Sequence, residues 1–179
     1  MKNGNDTLTY TYDAVGNITR VFDGTYTTRY EYDNLNQLIR EDNQKMGSTY
    51  VFTYDHGNIT SKKEYSYTME ASLEGKLPVL ERSFTYDDGQ WKDLLTNWDG
   101  VDMSYDEIGN LTKMSQGGIE QTFTWDGRQL TGIHVDGYMD SAYEYNDDRL
   151  RTKKTVTIDG VTSMTEFFYN RDQSATGKK

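Results

Sequence analysis

Two similar stretches of the sequence decide its fold: YTYDAVGNIT at residues 10–19 and MSYDEIGNLT at residues 103–112. Each has an apolar residue two positions before a Tyr-Asp pair, then a Gly-Asn turn signal and an aliphatic residue. Asp, Gly and Asn favour tight turns, and the alternation of apolar and polar residues before them is typical of a strand. Each stretch therefore predicts a β-hairpin.

The pattern recurs through the chain. Its other copies read YEYDNLNQL (30–38), FTYDHGNI (52–59), FTYDDGQW (84–91), FTWDGRQL (123–130), YEYNDDRL (143–150) and a truncated FFYN (167–170). The second aromatic residues of successive copies lie 19 to 24 positions apart, except for one interval of 32. A recurring period indicates a repeat array. We predict a single array of about eight repeats over residues 1–170, with an insertion at 61–83 that contains the only proline, Pro78.

The first copy shows how each hairpin is expected to close. An Asp opens a type I turn, and Gly16 takes the left-handed conformation and forms a bulge. Tyr12 is then predicted to face Ile18, and Tyr10 to face Arg20, across the two strands.

The other copies are predicted to keep this arrangement with two turn lengths. The offset from the second aromatic to the aliphatic residue is six in 12→18, 32→38 and 105→111, and five in 54→59, 86→91, 125→130 and 145→150. His56-Gly57 and Asp88-Gly89 fit two-residue left-handed turns, and Asn36 stands where the longer turn needs glycine. The predicted structural residues of the repeats are Tyr12, Asp13, Gly16, Ile18, Tyr32, Asp33, Leu38, Tyr54, Asp55, Gly57, Ile59, Tyr86, Asp87, Gly89, Tyr105, Asp106, Gly109, Leu111, Trp125, Asp126, Leu130, Tyr145 and Leu150.

A second series of turns lies between the copies, at Asp23-Gly24, Asp99-Gly100, Gly117-Gly118, Asp136-Gly137 and Asp159-Gly160. Two turns per repeat predict an all-β fold, a long antiparallel meander of about sixteen strands that must curl. Residues 69–76 are expected to form one short helical turn inside the insertion. The polar tail at 171–179 is expected to be disordered.

Composition narrows the classes of partner. The 179 residues carry a formal net charge of −10, which disfavours nucleic acid because phosphate binding depends on Lys and Arg. The sequence has no cysteine, hence no thiolate metal site, and no apolar stretch long enough to insert into a membrane. The N-terminal residues do not read as an export signal, so for an exported protein we expect the signal outside this sequence.

The motif [Tyr/Phe]-x-Tyr-Asp-x-x-Gly-Asn-Leu-Thr resembles the YD/RHS repeat family, and YDAVGNIT (12–19) and YDEIGNLT (105–112) match it almost letter for letter. The family includes bacterial RHS proteins, wall-associated proteins, toxin-complex cocoons and teneurins. The resemblance implies a strip of a β-shell that encloses a toxin or other cargo polypeptide, or presents a cell-surface contact. The Asp-Pro-x-Gly self-cleavage motif of such shells does not occur in this sequence.

No group of residues in the sequence suggests catalysis. The only two histidines, His56 and His134, lie in a turn and in a predicted strand, and the repeated aspartates already have turn roles. We therefore predict no enzyme activity, no catalytic residue, no metal site and no cofactor.

The main hypothesis is a non-catalytic structural fragment of a large secreted or cell-surface protein, with the rest of the repeat shell as its partner. Unpaired sheet edges also predict self-association. The alternative is a carbohydrate-binding module for surface glycan, with Trp91, Trp98 and Trp125 as candidate stacking residues because a flat ring face suits a pyranose.

Overall fold

The computed structural model describes residues 2–3, 6–170 and 175–178. Every regular element in these residues is a β-strand, and within each unit the paired strands are antiparallel and follow one another in the chain. The chain divides into two compact units, Met1–Asp93 and Leu94–Lys179. Each unit is a meander of hairpins, so the predicted all-β antiparallel fold is confirmed.

The N-terminal unit holds the first nine strands: β1 Lys2–Asn3, β2 Asp6–Thr7, β3 Thr9–Tyr12, β4 Ile18–Phe22, β5 Thr27–Tyr32, β6 Leu38–Asn43, β7 Ser48–Asp55, β8 Asn58–Ser66 and β9 Leu80–Thr85. Strands β1 and β2 form a separate hairpin, and β3 to β9 pair in chain order.

The C-terminal unit holds the other nine: β10 Asn97–Trp98, β11 Val101–Tyr105, β12 Leu111–Gln116, β13 Ile119–Asp126, β14 Gln129–Val135, β15 Met139–Tyr145, β16 Arg151–Ile158, β17 Val161–Tyr169 and β18 Ala175–Lys178. These strands also pair in chain order.

The repeats do not enclose a conventional core. Tyr50 is the only large apolar side chain in the described residues that is buried, and most aromatic side chains are half-buried. Because successive side chains on a strand point to opposite faces, the aromatic residues of neighbouring strands form rows on one face. The cross-strand partners Tyr30, Glu41, Tyr50 and Glu64 make up one such row, in which tyrosines alternate with glutamates. Rows of aromatic and polar side chains, most of them half-buried, therefore take the place of a closed core.

The predicted turn conformations are present. Gly16, Gly109 and Asn36 have φ angles of 97°, 82° and 61°, which confirms that Asn36 replaces glycine in the left-handed region. The His56-Gly57 turn has φ angles of 49° and 92°, as expected for a two-residue hairpin turn.

Other parts of the predicted register are wrong. Tyr10 pairs with Val21 and not with Arg20, because the strand carries a bulge between Thr11 and Tyr12. In the seventh copy Tyr145 pairs with Arg151 and not with Leu150. Arg149 adopts a φ of 62°, so this turn has the longer form.

The fourth copy does not form its predicted hairpin. Strand β9 ends at Thr85, so Tyr86, Asp87, Gly89 and Trp91 lie in an irregular segment. The carboxylate of Asp88 accepts the amides of Gln90 at 2.9 Å and Trp91 at 2.6 Å, which closes a different and wider loop.

The insertion and the tail also differ from expectation. Strands β8 and β9 take in both ends of the predicted 61–83 insertion, which leaves 67–79 as the connecting segment. No helical turn forms at 69–76; Lys76 N donates to Leu73 O at 3.0 Å in a β-turn. Residues 175–178 form strand β18, and the rest of the predicted disordered tail lies outside the described residues.

Candidate functional site

In the first, second and fifth copies, the Asp of the Tyr-Asp pair builds the turn that follows it. Asp13 Oδ1 accepts the amides of Val15 at 3.0 Å and Asn17 at 2.8 Å, and Asp13 Oδ2 accepts Asn17 Nδ2 at 2.9 Å. Desolvation raises the pKa of the Asp13 carboxyl, but the hydrogen bonds from Asn17, Val15 and Gly16 outweigh it and hold the pKa below its usual value. The same arrangement recurs around Asp106 and Asn110.

In seven hairpins a β-bulge follows the residue that pairs with the second aromatic of the motif. Tyr12 pairs with Ile18 while Thr11 pairs with Arg20, so Thr19 has no cross-strand partner. The residues skipped in this way are Thr19, Ile39, Thr60, Thr112, Thr131, Thr152 and Thr176. The Thr19 hydroxyl donates to Thr11 O at 3.2 Å across the bulge. The final Thr of the motif is therefore the bulge residue, a role that sequence reasoning missed.

Strand pairing between neighbouring hairpins stops before it reaches the aliphatic residue. Strands β4 and β5 pair only as far as Arg20 and Arg29, so the ladder does not extend to Ile18. The Tyr32 hydroxyl of the next repeat donates to Ile18 O at 2.9 Å and supplies the missing bond. A tyrosine side chain thus replaces a backbone donor where the ladder ends.

The same bond links one repeat to the next along both units. We call these six contacts the tyrosine ties: Tyr32 to Ile18 O (2.9 Å), Tyr54 to Leu38 O (2.8 Å), Tyr105 to Leu95 O (2.7 Å), Trp125 Nε1 to Leu111 O (2.8 Å), Tyr145 to Leu130 O (2.7 Å) and Tyr169 to Arg151 O (2.7 Å). The Tyr of the motif therefore holds consecutive hairpins together.

The Asn of the motif makes a second contact between repeats. Asn17 Nδ2 donates to Asn36 Oδ1 at 2.9 Å in the next turn, and Asn110 Nδ2 donates to Gly127 O at 2.7 Å. In the first copy, Asp13, Asn17, Ile18 and Thr19 thus each take part in a hydrogen bond that shapes a turn, a bulge or a contact between repeats.

Residues 12–44 match the RHS Repeat family. This part of the chain is an RHS repeat. The matched residues comprise the turns of the first two copies and the Tyr32 tie between them. Comparison with curated proteins gives no match.

Two solved structures align with most of the chain. One is a crystal structure of TcdB2-TccC3-Cdc42, with 14% identity and a TM-score of 0.40 over 97% of this chain. The other is the Photorhabdus luminescens Tc holotoxin pore with a TccC3 mutation, with 16% identity and a TM-score of 0.42 over 94% of this chain. The chain spans 13% of the length of each of those chains.

The tie to Leu95 shows how the repeat pattern continues after the irregular fourth copy. Leu95 O accepts the Tyr105 hydroxyl, which is the role of the aliphatic residue in other copies. Leu95-Thr96 also repeats the Leu-Thr pair seen at 111–112 and 130–131. This pair is the sequence signal that could have identified Leu95, in place of Trp91, as the aliphatic position.

The three tryptophans proposed for glycan stacking have different environments. Trp125 is half-buried and its indole N–H makes a tie, so it has a structural role between two hairpins. Trp98 pairs with Val101 beside the Asp99-Gly100 turn and is 37% exposed. Trp91 is 47% exposed on the wide loop. The structure does not bring these residues into one site, and glycan binding by them stays a prediction.

The most deeply buried side chains lie beneath the segment 67–79. Arg40 Nε donates to Asp42 Oδ1 at 2.8 Å, and both side chains are buried, with 7% and 6% of their area exposed. The Arg40 guanidinium also donates to three carbonyls of the segment, on Thr68 (3.4 Å), Glu70 (2.8 Å) and Ala71 (3.2 Å).

Thr49, which is fully buried, completes this cluster by donating to Asp42 Oδ1 at 3.0 Å and accepting Thr68 N at 3.1 Å. We call Arg40, Asp42, Thr49 and segment 67–79 the clasp. A buried charge pair is stable only when its hydrogen bonds are satisfied, and the segment carbonyls meet that need here. Sequence reasoning missed it because the partners lie about 30 positions apart.

Neither histidine joins a catalytic group in the described residues. His56 Nδ1 lies 2.8 Å from Asp55 Oδ1, and His134 Nδ1 lies 2.7 Å from Asp140 Oδ1, both on exposed turns or strands. The hydrogen bond to Asp140 raises the pKa of His134. The described part of the chain holds no cluster of three or more acidic, His or Cys side chains that could bind a metal, and no helix long and apolar enough to cross a membrane.

Proposed function

We propose that the chain is a non-catalytic wall segment of a larger RHS-repeat protein. The tyrosine ties support this role, because each uses the defining Tyr of the motif to hold one hairpin to the next. The residues of the motif are thereby used in turns, bulges and ties. The function that follows is mechanical: a continuous antiparallel wall.

In this proposal the parent protein is bacterial, and it is secreted or displayed on the cell surface. Its wall encloses a toxin or other cargo polypeptide, or presents a surface contact. The partner of this segment is then the rest of the repeat array. A sheet protects its contents without catalysis because paired strands leave few open backbone groups for a protease.

The edge strand β3 is where a further repeat would join. Tyr12 is 57% exposed, and among the described residues its hydroxyl has no acceptor of the kind that its six equivalents have. β3 is also the last strand of its sheet on that side. If a hairpin were added there, the backbone carbonyl of the aliphatic residue in that hairpin could accept the Tyr12 hydroxyl. The predicted self-association through sheet edges would use the same surface.

Hydrogen exchange of the full chain with an added hairpin peptide tests this proposal. The peptide copies residues 101–116, which include Leu111 as the acceptor carbonyl. We expect the peptide to slow exchange of β3 amides, and Tyr12→Phe to reduce that protection because the tie is lost. Tyr26→Phe, on an exposed tyrosine of the β4–β5 turn that makes no tie, is the control.

Unchanged β3 exchange at saturating peptide would count against the wall proposal. So would protection that is equal in the Tyr12→Phe chain, since the tie would then have no part in joining repeats.

A further inference from the structure

One repeat differs from the others at the first position of the motif. Seven of the eight copies have a tyrosine or phenylalanine two residues before the second aromatic, whereas the fifth copy has Met103 there, before Tyr105. Met103 pairs across the hairpin with Met114, and both side chains are half-buried. Residues two apart on a strand share a face, as do direct cross-strand partners. A pair of thioethers therefore lies beside Tyr105 on the face that carries the aromatic rows.

The sulfur of Met103 lies next to the tie of its own repeat. The Tyr105 hydroxyl donates to Leu95 O at 2.7 Å, and the same hydroxyl lies 3.6 Å from Met103 Sδ, which is within the hydrogen-bonding reach of sulfur. A phenol has one proton to donate, and a thioether is a weak acceptor, so the carbonyl is the stronger partner. Among the described residues, no other methionine sulfur lies at a tie. A chemical change at this sulfur can therefore alter the competition for the tie proton.

The segment that this tie fastens has a short ladder. Strand β10 is two residues long, the shortest strand described in the C-terminal unit, and its register with β11 covers Asn97 and Trp98. Met103 N extends the pairing by donating to Thr96 O at 2.8 Å, and the tie to Leu95 O comes next. Short ladders open locally at a lower free energy than long ones, so each bond at their end matters more.

We propose that Met103 is a reversible oxidation site and that its sulfoxide unfastens the tie of the fifth copy. The oxidant is a peroxide. The thioether sulfur attacks one peroxide oxygen, the O–O bond breaks and an S–O bond forms. The sulfur gives up two electrons to the other oxygen, which takes the proton of the transferred oxygen and leaves as water or an alcohol. The proposal is independent of the wall function.

The sulfoxide acts on the tie in two ways. Its oxygen is a stronger acceptor than the thioether and is attached to a sulfur that is already 3.6 Å from the Tyr105 hydroxyl, so it competes with Leu95 O for the single proton. Oxidation also makes an apolar side chain polar, which disfavours its half-buried position beside Met114. Both effects favour opening of the pairing around Thr96.

Peroxide treatment of the full chain, followed by peptide mass mapping and amide hydrogen exchange, tests this site. We expect Met103 to gain one oxygen. The amide at position 103, which donates to Thr96 O, should then exchange about fivefold faster, the size expected for the loss of one hydrogen bond. Treatment with both methionine sulfoxide reductases, one for each sulfoxide epimer, should restore the mass and the exchange rate.

Met103→Leu is the matched control. Peroxide still oxidises exposed methionines such as Met46, which is 65% exposed, but exchange at position 103 should not change. Met114→Leu should keep the full acceleration, because the sulfur at the tie is still present. Tyr105→Phe should exchange faster before treatment and gain little from it, since it has no tie to lose.

Three results would overturn the proposal. A folded chain oxidised at Met46 but not at Met103 would remove the site. Unchanged exchange in a chain oxidised at Met103 would remove its effect on the tie. An acceleration that is lost in Met114→Leu, or equally large in Tyr105→Phe, would assign the effect to packing of the thioether pair and not to the tie. The β3 exchange experiment, which tests the wall function, uses neither the oxidant nor these residues as variants.

Discussion

The clasp and the regular turns of the repeats hold the same sheet by different means. The turn at Asp13 is stabilised by short hydrogen bonds at an exposed edge. The clasp concentrates its bonds on Arg40 and Asp42, two of the few buried side chains in the described residues. Each exposed hydrogen bond contributes little to the free energy of unfolding and can be lost without affecting the others. In a buried charge cluster, the loss of one partner leaves the other charge uncompensated and destabilises the whole cluster. The stabilising contacts of the repeats are therefore spread over many turns, whereas those at the insertion are concentrated in one buried cluster.

The largest effect is expected from breaking the clasp. Arg40→Ala leaves Asp42 buried without its cation and removes the donor to three carbonyls of 67–79. Loss of one partner of a buried pair costs about 3–5 kcal/mol. Urea unfolding of the full chain measures this loss, and hydrogen exchange should show the segment released.

Arg29→Ala is the matched control, because Arg29 pairs with Asp42 in the register but is exposed. It should cost under about 1 kcal/mol. The double variant Arg40→Met with Asp42→Leu should lose less than Arg40→Ala alone, since it removes both charges. An Arg40→Ala chain as stable as the Arg29→Ala chain would show that the clasp is not a stability centre.

A smaller effect is expected at the turns, where one copy can be compared with another. Gly16 has a φ of 97°, so Gly16→Ala should destabilise the first hairpin by about 1–2 kcal/mol. Gly89, in the irregular fourth copy, has no positive φ and no atom within 4 Å of an added Cβ. Gly89→Ala should therefore be neutral or slightly stabilising. Equal urea midpoints for the two variants would mean that the left-handed conformation at Gly16 does not contribute measurably to the stability of the chain.

The contrast between these glycines also shows what the sequence could predict. Local rules were sufficient for Gly16 and Asn36, because a tight turn between two strands fixes the φ of one residue. They failed at Gly89, where the same Asp-Gly letters occur in a wider loop. The aliphatic position that follows the fourth copy is Leu95, and the Leu95-Thr96 pair is visible in the sequence. Such a pair can be recognised as part of the repeat only when the bulge position of its Thr is known.

The clasp lay beyond prediction for a different reason. The acceptors of Arg40 are backbone carbonyls at 68, 70 and 71, and a carbonyl has no sequence signature. Its burial depends on where the insertion folds back, which no periodic pattern specifies. The register at Tyr145 failed because Arg149, a residue with a Cβ, takes the left-handed conformation that local rules assign to Gly or Asn.

A third effect, of about 1 kcal/mol, is expected from a single tie. Tyr54→Phe removes the hydroxyl that donates to Leu38 O at 2.8 Å and leaves that carbonyl without its side-chain donor. Tyr26→Phe removes an exposed hydroxyl that makes no tie and should change the urea midpoint little. Tyr54→Phe should also speed exchange of the amides that flank Leu38. Identical midpoints for the two variants would show that the tie does not stabilise the pairing of repeats.

The smallest effect is expected from pH, which weakens several ties together without mutation. Burial raises the pKa of Tyr32 and Tyr54, and the carboxylates of Asp13 and Asp33 add to the shift. Because the folded pKa lies above the unfolded value of about 10, the stabilisation is complete below that pH and declines as pH rises through the folded pKa.

Urea midpoints measured from neutral pH to above pH 10 should therefore fall at the alkaline end. The fall should be shallower in the chain with both Tyr32→Phe and Tyr54→Phe, which has already lost the ionisable donors. If the urea midpoint falls as steeply in that double variant as in the unchanged protein, other groups cause the alkaline sensitivity and the two ties make no measurable contribution to it.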